Sequence, residues 1–166
     1  MLKLFSKIGI IALLTAIIDQ LTKFWVLEFL QSHQTSQYIV TASFNLVEVY
    51  NYGISFGICN SPEHSKWLFI AISSIIIMSL LFLYANTTPT YRMITPLGLI
   101  IGGATGNILD RFLRNAVLDF IDLHFLHHHY PAFNYADSMI VFGSISILIL
   151  ELFKNIKKIP YTKSYF

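Results

Sequence analysis

The sequence predicts an all-α integral membrane protein with four transmembrane helices and a small extracytoplasmic β-sheet between the first two. Three observations predict it. Of the 166 residues, 55% are hydrophobic and only 12% charged, about half the charge of a soluble domain. Mean hydropathy is +0.61, so the apolar surface suits lipid. Four apolar segments are long enough, or nearly so, to span a bilayer, which takes about 20 residues. A single domain over residues 1–166 is expected. The net charge of +2 is small, and the basic residues sit at segment ends rather than in a patch, which argues against a nucleic-acid partner. Cys59 is the only cysteine, so an intrachain disulfide is excluded and the redox compartment is not indicated.

The opening MLKLFSKIGIIALLTAII imitates a secretory signal, with two lysines before an apolar run. It lacks a small-x-small cleavage site and continues through Asp19 and Lys23, so it reads as a retained helix over residues 6–28. Helix two covers 66–86, with no charge from Leu68 to Ala85. Helix three covers 93–112, with Pro96 in its first turn, where a missing N–H does least harm. Helix four covers 137–157. Lys3, Lys7, Arg92, Lys154, Lys157, Lys158 and Lys163, seven of the eleven basic residues, fall on one side. By the positive-inside rule both termini are cytoplasmic, and the loops 29–65 and 113–136 are extracytoplasmic.

The first loop reads YIVTASFNLVEVY from Tyr38 to Tyr50, β-branched and aromatic with partial alternation. That predicts strands, with a turn at Asn51-Tyr52-Gly53. Trp25, Trp67 and many tyrosines are expected in the interfacial belt. The tail after Pro160 is expected to be loose.

Chemistry concentrates between Gly102 and Asp137, which holds four of the nine acidic residues: Asp110, Asp119, Asp122 and Asp137. A carboxylate inside a bilayer costs about 2.5–3.5 kcal/mol on insertion scales, so intramembrane charges are paired or functional. Asp19 and Lys23 are four apart, acid first, the favourable order for a helical ion pair. They read as a structural pair or as the polar wall of a site. On helix three, Gly103, Asn107, Asp110, Arg111 and Arg114 share one broad face, and Gly102 with Gly106 lets another helix approach closely. Asn107, Asp110 and Arg111 read either as helix bracing or as substrate contacts.

Asp119 follows helix three and Asp137 begins helix four. Antiparallel helices bring both to one membrane face. The alternatives are an N-cap for Asp137 and a surface loop acid for Asp119. Two carboxylates about 5 Å apart, at an effective dielectric near 20, repel by roughly 3 kcal/mol or about two pK units. One then stays protonated while the other ionises. The ionised one takes a proton from water and the protonated one hydrogen-bonds a substrate carbonyl. Peptide hydrolysis follows without a metal or other cofactor.

His124, His127, His128 and His129 with Asp122 are ligand types for zinc. Three consecutive histidines on a loop point in different directions, however, so a solvated interfacial cluster is expected. A small metal or ion transporter and a non-enzymatic four-helix scaffold are the competing function classes. Ser55 and Ser73 have no evident base partner, and Cys59 reads as an inert thiol.

Five ordered boxes carry a resemblance: DQLTK at 19–23, FNLVEVYNYGISFG at 44–57, GGATGNILDR at 102–111, VLDFID at 117–122 and PAFNYADS at 131–138. Over nearly its whole length the chain resembles bacterial lipoprotein signal peptidase, the signal peptidase II family. The resemblance implies a membrane aspartic endopeptidase of the bacterial inner membrane. Such an enzyme removes signal peptides from prolipoproteins before a diacylglyceryl-modified cysteine, at the periplasmic face. It implies Asp119 and Asp137 as the catalytic pair. It further implies Asn51, Asn107, Asp110, Arg111 and Asn134 as substrate- and inhibitor-contacting residues, and Asp19 and Lys23 as helix-one polar residues. The loop 29–65 then corresponds to the family's periplasmic cradle. Prolipoproteins, membrane lipids and globomycin-type antibiotics are the implied partners of what is expected to be a monomer. Ala116 stands where many members have Gly, and Ile54-Ser55 replaces the more usual small pair.

Overall fold

A computed structural model describes residues 2–53, 62–86 and 90–156, without the side chains of 62–64 and 154–156. Ile54, Ser55, Cys59 and the tail after Pro160 lie outside the described residues. Four long helices follow the apolar segments: α1 (Leu2–Ser32), α2 (Pro62–Asn86), α3 (Ile94–Arg114) and α4 (Tyr135–Ile156). A 3-10 turn at Tyr91–Met93 leads into α3. At 31 residues, α1 rises about 46 Å at 1.5 Å per residue, well beyond a hydrocarbon core of about 30 Å.

Among the described residues, three helices are long and apolar enough to cross a membrane: Leu2–Ser32, Ser65–Asn86 and Tyr135–Phe153. The four spans expected from the sequence are thus met in three, and α3 falls short in hydropathy. Its position explains why. Helix α3 packs against α1, α4 and α2, and twelve of its 21 residues are buried. Only 6% of the α2 span and 11% of the α4 span are buried in the protein. A helix sheathed by other helices needs no lipid-compatible surface, so it can carry Asn107, Asp110 and Arg111.

Close approach to α3 depends on its small residues. A Cβ on Gly102 would meet the Ala12 carbonyl oxygen at 2.5 Å, and one on Gly106 would meet Asp19 Oδ2 at 2.5 Å. The GxxxG step therefore seats α1. We expect Gly106→Ala to displace the Asp19 carboxylate and cost about 1–3 kcal/mol, the usual penalty for overpacking. Thermal unfolding in detergent measures it, and an unchanged midpoint would contradict the close packing.

The sheet is larger than expected and draws on both loops. Its antiparallel order is β1 (Gln37–Thr41), β2 (Phe44–Asn51), β3 (Val117–Phe125) and β4 (His128–His129). The predicted strand stretch is two strands, joined by a turn at Ala42–Ser43 that was not expected. Asn51-Tyr52-Gly53 does turn locally: Asn51 Oδ1 accepts from the Gly53 N–H at 2.8 Å, and Gly53 takes φ 72°. The expected sheet lay between the first two helices, within the loop 29–65. Instead β3 pairs with β2 through Val49↔Asp119 and Asn45↔Asp122, with a bulge between Leu46 and Val49. An all-α description is therefore too narrow: the fold is a helical bundle with a four-stranded sheet at one end.

Candidate active site

The chain leaves α3 through Asn115, which takes the left-handed conformation at φ 61° and so ends the helix. Four residues on, β3 carries Asp119 inward; Val117, Leu118, Asp119 and Phe120 are all buried. Asp119 is only 2% exposed. It is an interior strand residue, not the surface loop acid that was its plainest alternative.

Asp137 lies in the first turn of α4. The N-cap is Asn134: its Oδ1 accepts from the Asp137 N–H at 2.9 Å, while Asp137 Oδ2 accepts from the Asn134 N–H at 3.3 Å. This reciprocal pair is a capping box, with Asp in the place of the usual Glu or Gln. Asn134, fully buried, also donates through Nδ2 to Asp119 Oδ1 at 2.7 Å. One asparagine therefore holds both carboxylates. Phe133 fixes the approach, bonding through its backbone to Ile121 on β3.

The remaining oxygens are held as well. Asn51 Nδ2 donates to Asp119 Oδ2 at 3.1 Å, and Asn107 Nδ2 to Asp137 Oδ1 at 2.8 Å. Arg111 is anchored on the Asn107 carbonyl at 3.3 Å, lies over the Phe69 ring at 5.1 Å, and is within electrostatic reach of Asp137 and Asp119. Burial pushes the Asp119 carboxyl up to about 6, with the charge of Asp137 adding to the rise. Hydrogen bonds from Asn51 and Asn134 and the charge of Lys23 oppose it.

Behind the pair sits a buried ionic network. Lys23 Nζ lies 2.8 Å from both Asp19 Oδ2 and Asp110 Oδ2, with all three side chains fully buried. Arg114 pairs with Asp110 Oδ1 at 2.5 Å. Asp19 Oδ1 accepts the Ala136 N–H of α4 at 2.9 Å, and Asp110 Oδ2 accepts the Leu118 N–H of β3 at 3.0 Å. Each acid thus anchors the backbone beside one member of the pair. Asp110, expected to contact substrate, has no exposed surface, and its Oδ2 is occupied by the Leu118 N–H.

Two open depressions reach the carboxylates from different sides. One of about 390 Å³ is lined by Tyr130, Phe133, Asp137, Val141, Phe142 and Ile145. The other, of about 370 Å³, is lined by Tyr50, Asn51, Tyr52, Asp119, Pro131 and Ala132. The first is nearly all apolar and runs down α4. The second is the more polar and lies under the sheet edge.

Asp122, grouped in the sequence with the other acids, faces elsewhere. It accepts from Asn45 Nδ2 at 2.8 Å and bonds His129 Nδ1 at 2.8 Å. Burial raises its carboxyl, but these hydrogen bonds and the flanking imidazoles hold it below the ordinary range. The strand carrying Asp119 and Asp122 was missed by sequence reasoning, although VLDFIDLHF has the β-branched and aromatic content that signals one.

A model of the family described as signal peptidase (SPase) II matches residues 11–154. The chain belongs to the signal peptidase II family. It is therefore a peptidase. It is 38% identical over 162 residues to the lipoprotein signal peptidase of Pseudoalteromonas atlantica, covering 93% of this chain and 96% of the relative. It is 35% identical over 161 residues to that of Rickettsia conorii, covering 96% and 79%. Among solved structures it is similar to a bacterial membrane enzyme determined in meso at 2.3 Å, with TM-score 0.70, 28% identity, and coverage of 94% of this chain and 93% of that one. A second in meso structure at 1.9 Å gives TM-score 0.72 at 29% identity, covering 86% and 90%.

Proposed function

We propose that this signal peptidase II family member is an aspartic endopeptidase of the bacterial inner membrane. On this reading it cleaves prolipoproteins immediately before a diacylglyceryl-modified cysteine, with Asp119 and Asp137 as the catalytic pair. The observation that carries the reading is the shared asparagine: Asn134 bonds both carboxylates while burial keeps a proton on Asp119 up to about pH 6. In this scheme protonated Asp119 hydrogen-bonds the scissile carbonyl oxygen. Asp137 takes a proton from a water lying between the two. The hydroxide attacks the carbonyl carbon, and the proton then passes to the leaving nitrogen as the C–N bond breaks. No step requires a metal or a covalent enzyme intermediate.

The two depressions fit a substrate that is apolar on one side of the cut. The signal-peptide helix and the lipid chains would lie along the α4 groove, and the chain beyond the cut would lie under the sheet edge. Lipid anchoring pre-pays orientation, so few side chains need grip the peptide. Asn51 and Arg111 are the contacts we assign to substrate, and to globomycin-type inhibitors in the same groove. Asn107 and Asn134 position the pair. The basic residues favour both termini in the cytoplasm, with α3 as a fourth, protein-sheathed span and the sheet on the periplasmic face. The protein acts in this scheme as a monomer.

The direct test is cleavage by the purified full chain in detergent, read by mass spectrometry. A prolipoprotein carrying the diacylglyceryl group should be cut before that cysteine. The same precursor without the lipid should be cut at least about 100-fold more slowly, because orientation is lost. Equal rates on the two precursors would remove the lipid from the account.

A further inference from the structure

His127 and His128 are exposed, as a solvated cluster requires, but His124 and His129 are not independent of each other. The β3–β4 hairpin makes His124 and His129 cross-strand partners, so alternation puts both on one face of the sheet. Their rings stack at 18° with centroids 4.8 Å apart. Asp122 lies two residues before His124 and shares that face. Its Oδ1 is 2.8 Å from His129 Nδ1, and its Oδ2 is 4.0 Å from His124 Nδ1. One ligand atom from each of the three falls within 4.8 Å of the others. His128 alternates to the opposite face.

Two further features distinguish this cluster from a chance cluster. His124 Nδ1 is buried and has no hydrogen-bond partner, although an imidazole nitrogen in that position ordinarily finds one. Asn45, 3% exposed, donates to Asp122 Oδ2 at 2.8 Å. A carboxylate ligand oriented by its own hydrogen bond is the usual arrangement in metal sites.

We propose that Asp122, His124 and His129 form a binding site for a divalent transition metal, zinc being the best match, at the base of the β3–β4 hairpin. Imidazole and carboxylate together suit zinc. Tetrahedral bonds of about 2.0–2.1 Å put ligand atoms roughly 3.3 Å apart. The three ligand atoms lie within 4.8 Å of one another, so binding requires the stacked rings to turn their nitrogens toward a common point, and the half-exposed His129 side leaves the fourth position to water. Bound metal would clasp the hairpin that ends at Tyr130, one wall of the α4 groove. The role is structural, and neither Asp119 nor Asp137 is a ligand.

The test uses the full chain in detergent, stripped with chelator and carrying no polyhistidine tag. Cobalt(II), whose visible bands report tetrahedral nitrogen and oxygen ligands, is titrated in and then displaced with zinc. We expect one equivalent to bind. His124→Ala and His129→Ala should each weaken binding by at least about 10–100-fold, the loss typical of even a supporting partner, while His128→Ala binds as the wild type does. Prolipoprotein cleavage by the same variants reports that they are folded. Absence of stoichiometric binding would overturn the site. So would undiminished binding in either ligand variant, or loss in His128→Ala.

Discussion

Asp119→Asn is expected to abolish measurable prolipoprotein cleavage while the protein still inserts and folds. General acid–base catalysis contributes about 10²–10⁴-fold, and an amide can neither hold nor deliver the proton. The same substitution reports the buried carboxyl thermodynamically. Asp119 has a folded value of about 6 against an ordinary 3.8. The folded state therefore keeps a proton that the unfolded chain releases, and stability falls as pH rises from about 4 to about 6. The full drop is on the order of 3 kcal/mol, at about 1.4 kcal/mol per unit. The amide has no such dependence. It does carry a cost of its own, because Asn51 and Asn134 both donate to this side chain and an amide N–H₂ facing a donor costs about 1–3 kcal/mol. The quantity to measure is therefore the slope. The midpoint of Asp119→Asn minus that of the wild type should climb between pH 4 and 7 and level off above. A difference independent of pH would show that Asp119 titrates normally.

Kinetics offer a parallel reading. The pH dependence of kcat/KM reports the free enzyme, so it should fall as pH rises through about 6 and Asp119 loses its proton. A substrate in the groove excludes more water and holds that proton longer, so kcat should persist to higher pH. A kcat/KM that is flat from pH 5 to 8 would move the acid elsewhere.

Lys23→Met is expected to cause the largest loss of stability. The ammonium lies 2.8 Å from two fully buried carboxylates. Methionine fills the same space and leaves Asp19 without a cation and Asp110 with Arg114 alone. Breaking a buried ion pair from one side costs about 3–5 kcal/mol, a large share of a typical total of about 5–15 kcal/mol. The loss should spread to function. Asp19 caps the strand-facing end of α4 through Ala136, and Asp110 sets β3 through Leu118, so the two carboxylates of the site lose their supports together. Neutralising both acids as well, in an Asp19→Asn, Lys23→Met, Asp110→Asn triple variant, should recover part of the stability because no bare charge remains. A Lys23→Met protein with the wild-type midpoint in detergent would show that the network is not energetically coupled.

How much of this was legible in the chain depends on the range of each interaction. The helices were legible because apolar length is local: α2 is written in Leu68–Ala85 without reference to any other segment. The Asp19–Lys23 pair was legible because a four-residue step fixes it. The GxxxG step told that something approaches α3, but not that the neighbour is α1. Strand β3 went unread because its first residues are buried on both sides, so its pattern is a continuous run rather than an alternation. The hairpin turn at Ala42–Ser43 also went unread, because those residues carry no strong turn chemistry. His127, His128 and His129 were expected to diverge because consecutive neighbours point apart, whereas a hairpin brings His124 and His129, five apart, onto one face.

By itself the sequence determined the apolar character of this protein, the positions of its long helices, and the family whose motifs it carries. These depend on composition and on order along the chain. Only the tertiary structure decided which acids meet. Asp119 reaches Asn134 because β3 lies against β2 and Phe133, and Asp137 reaches it because α4 docks on Asp19. Asp110, in contrast, is drawn inward by Lys23 and Arg114. Such meetings are settled by packing between elements distant in sequence, since a carboxylate in an apolar bundle goes where a donor or a cation can hold it.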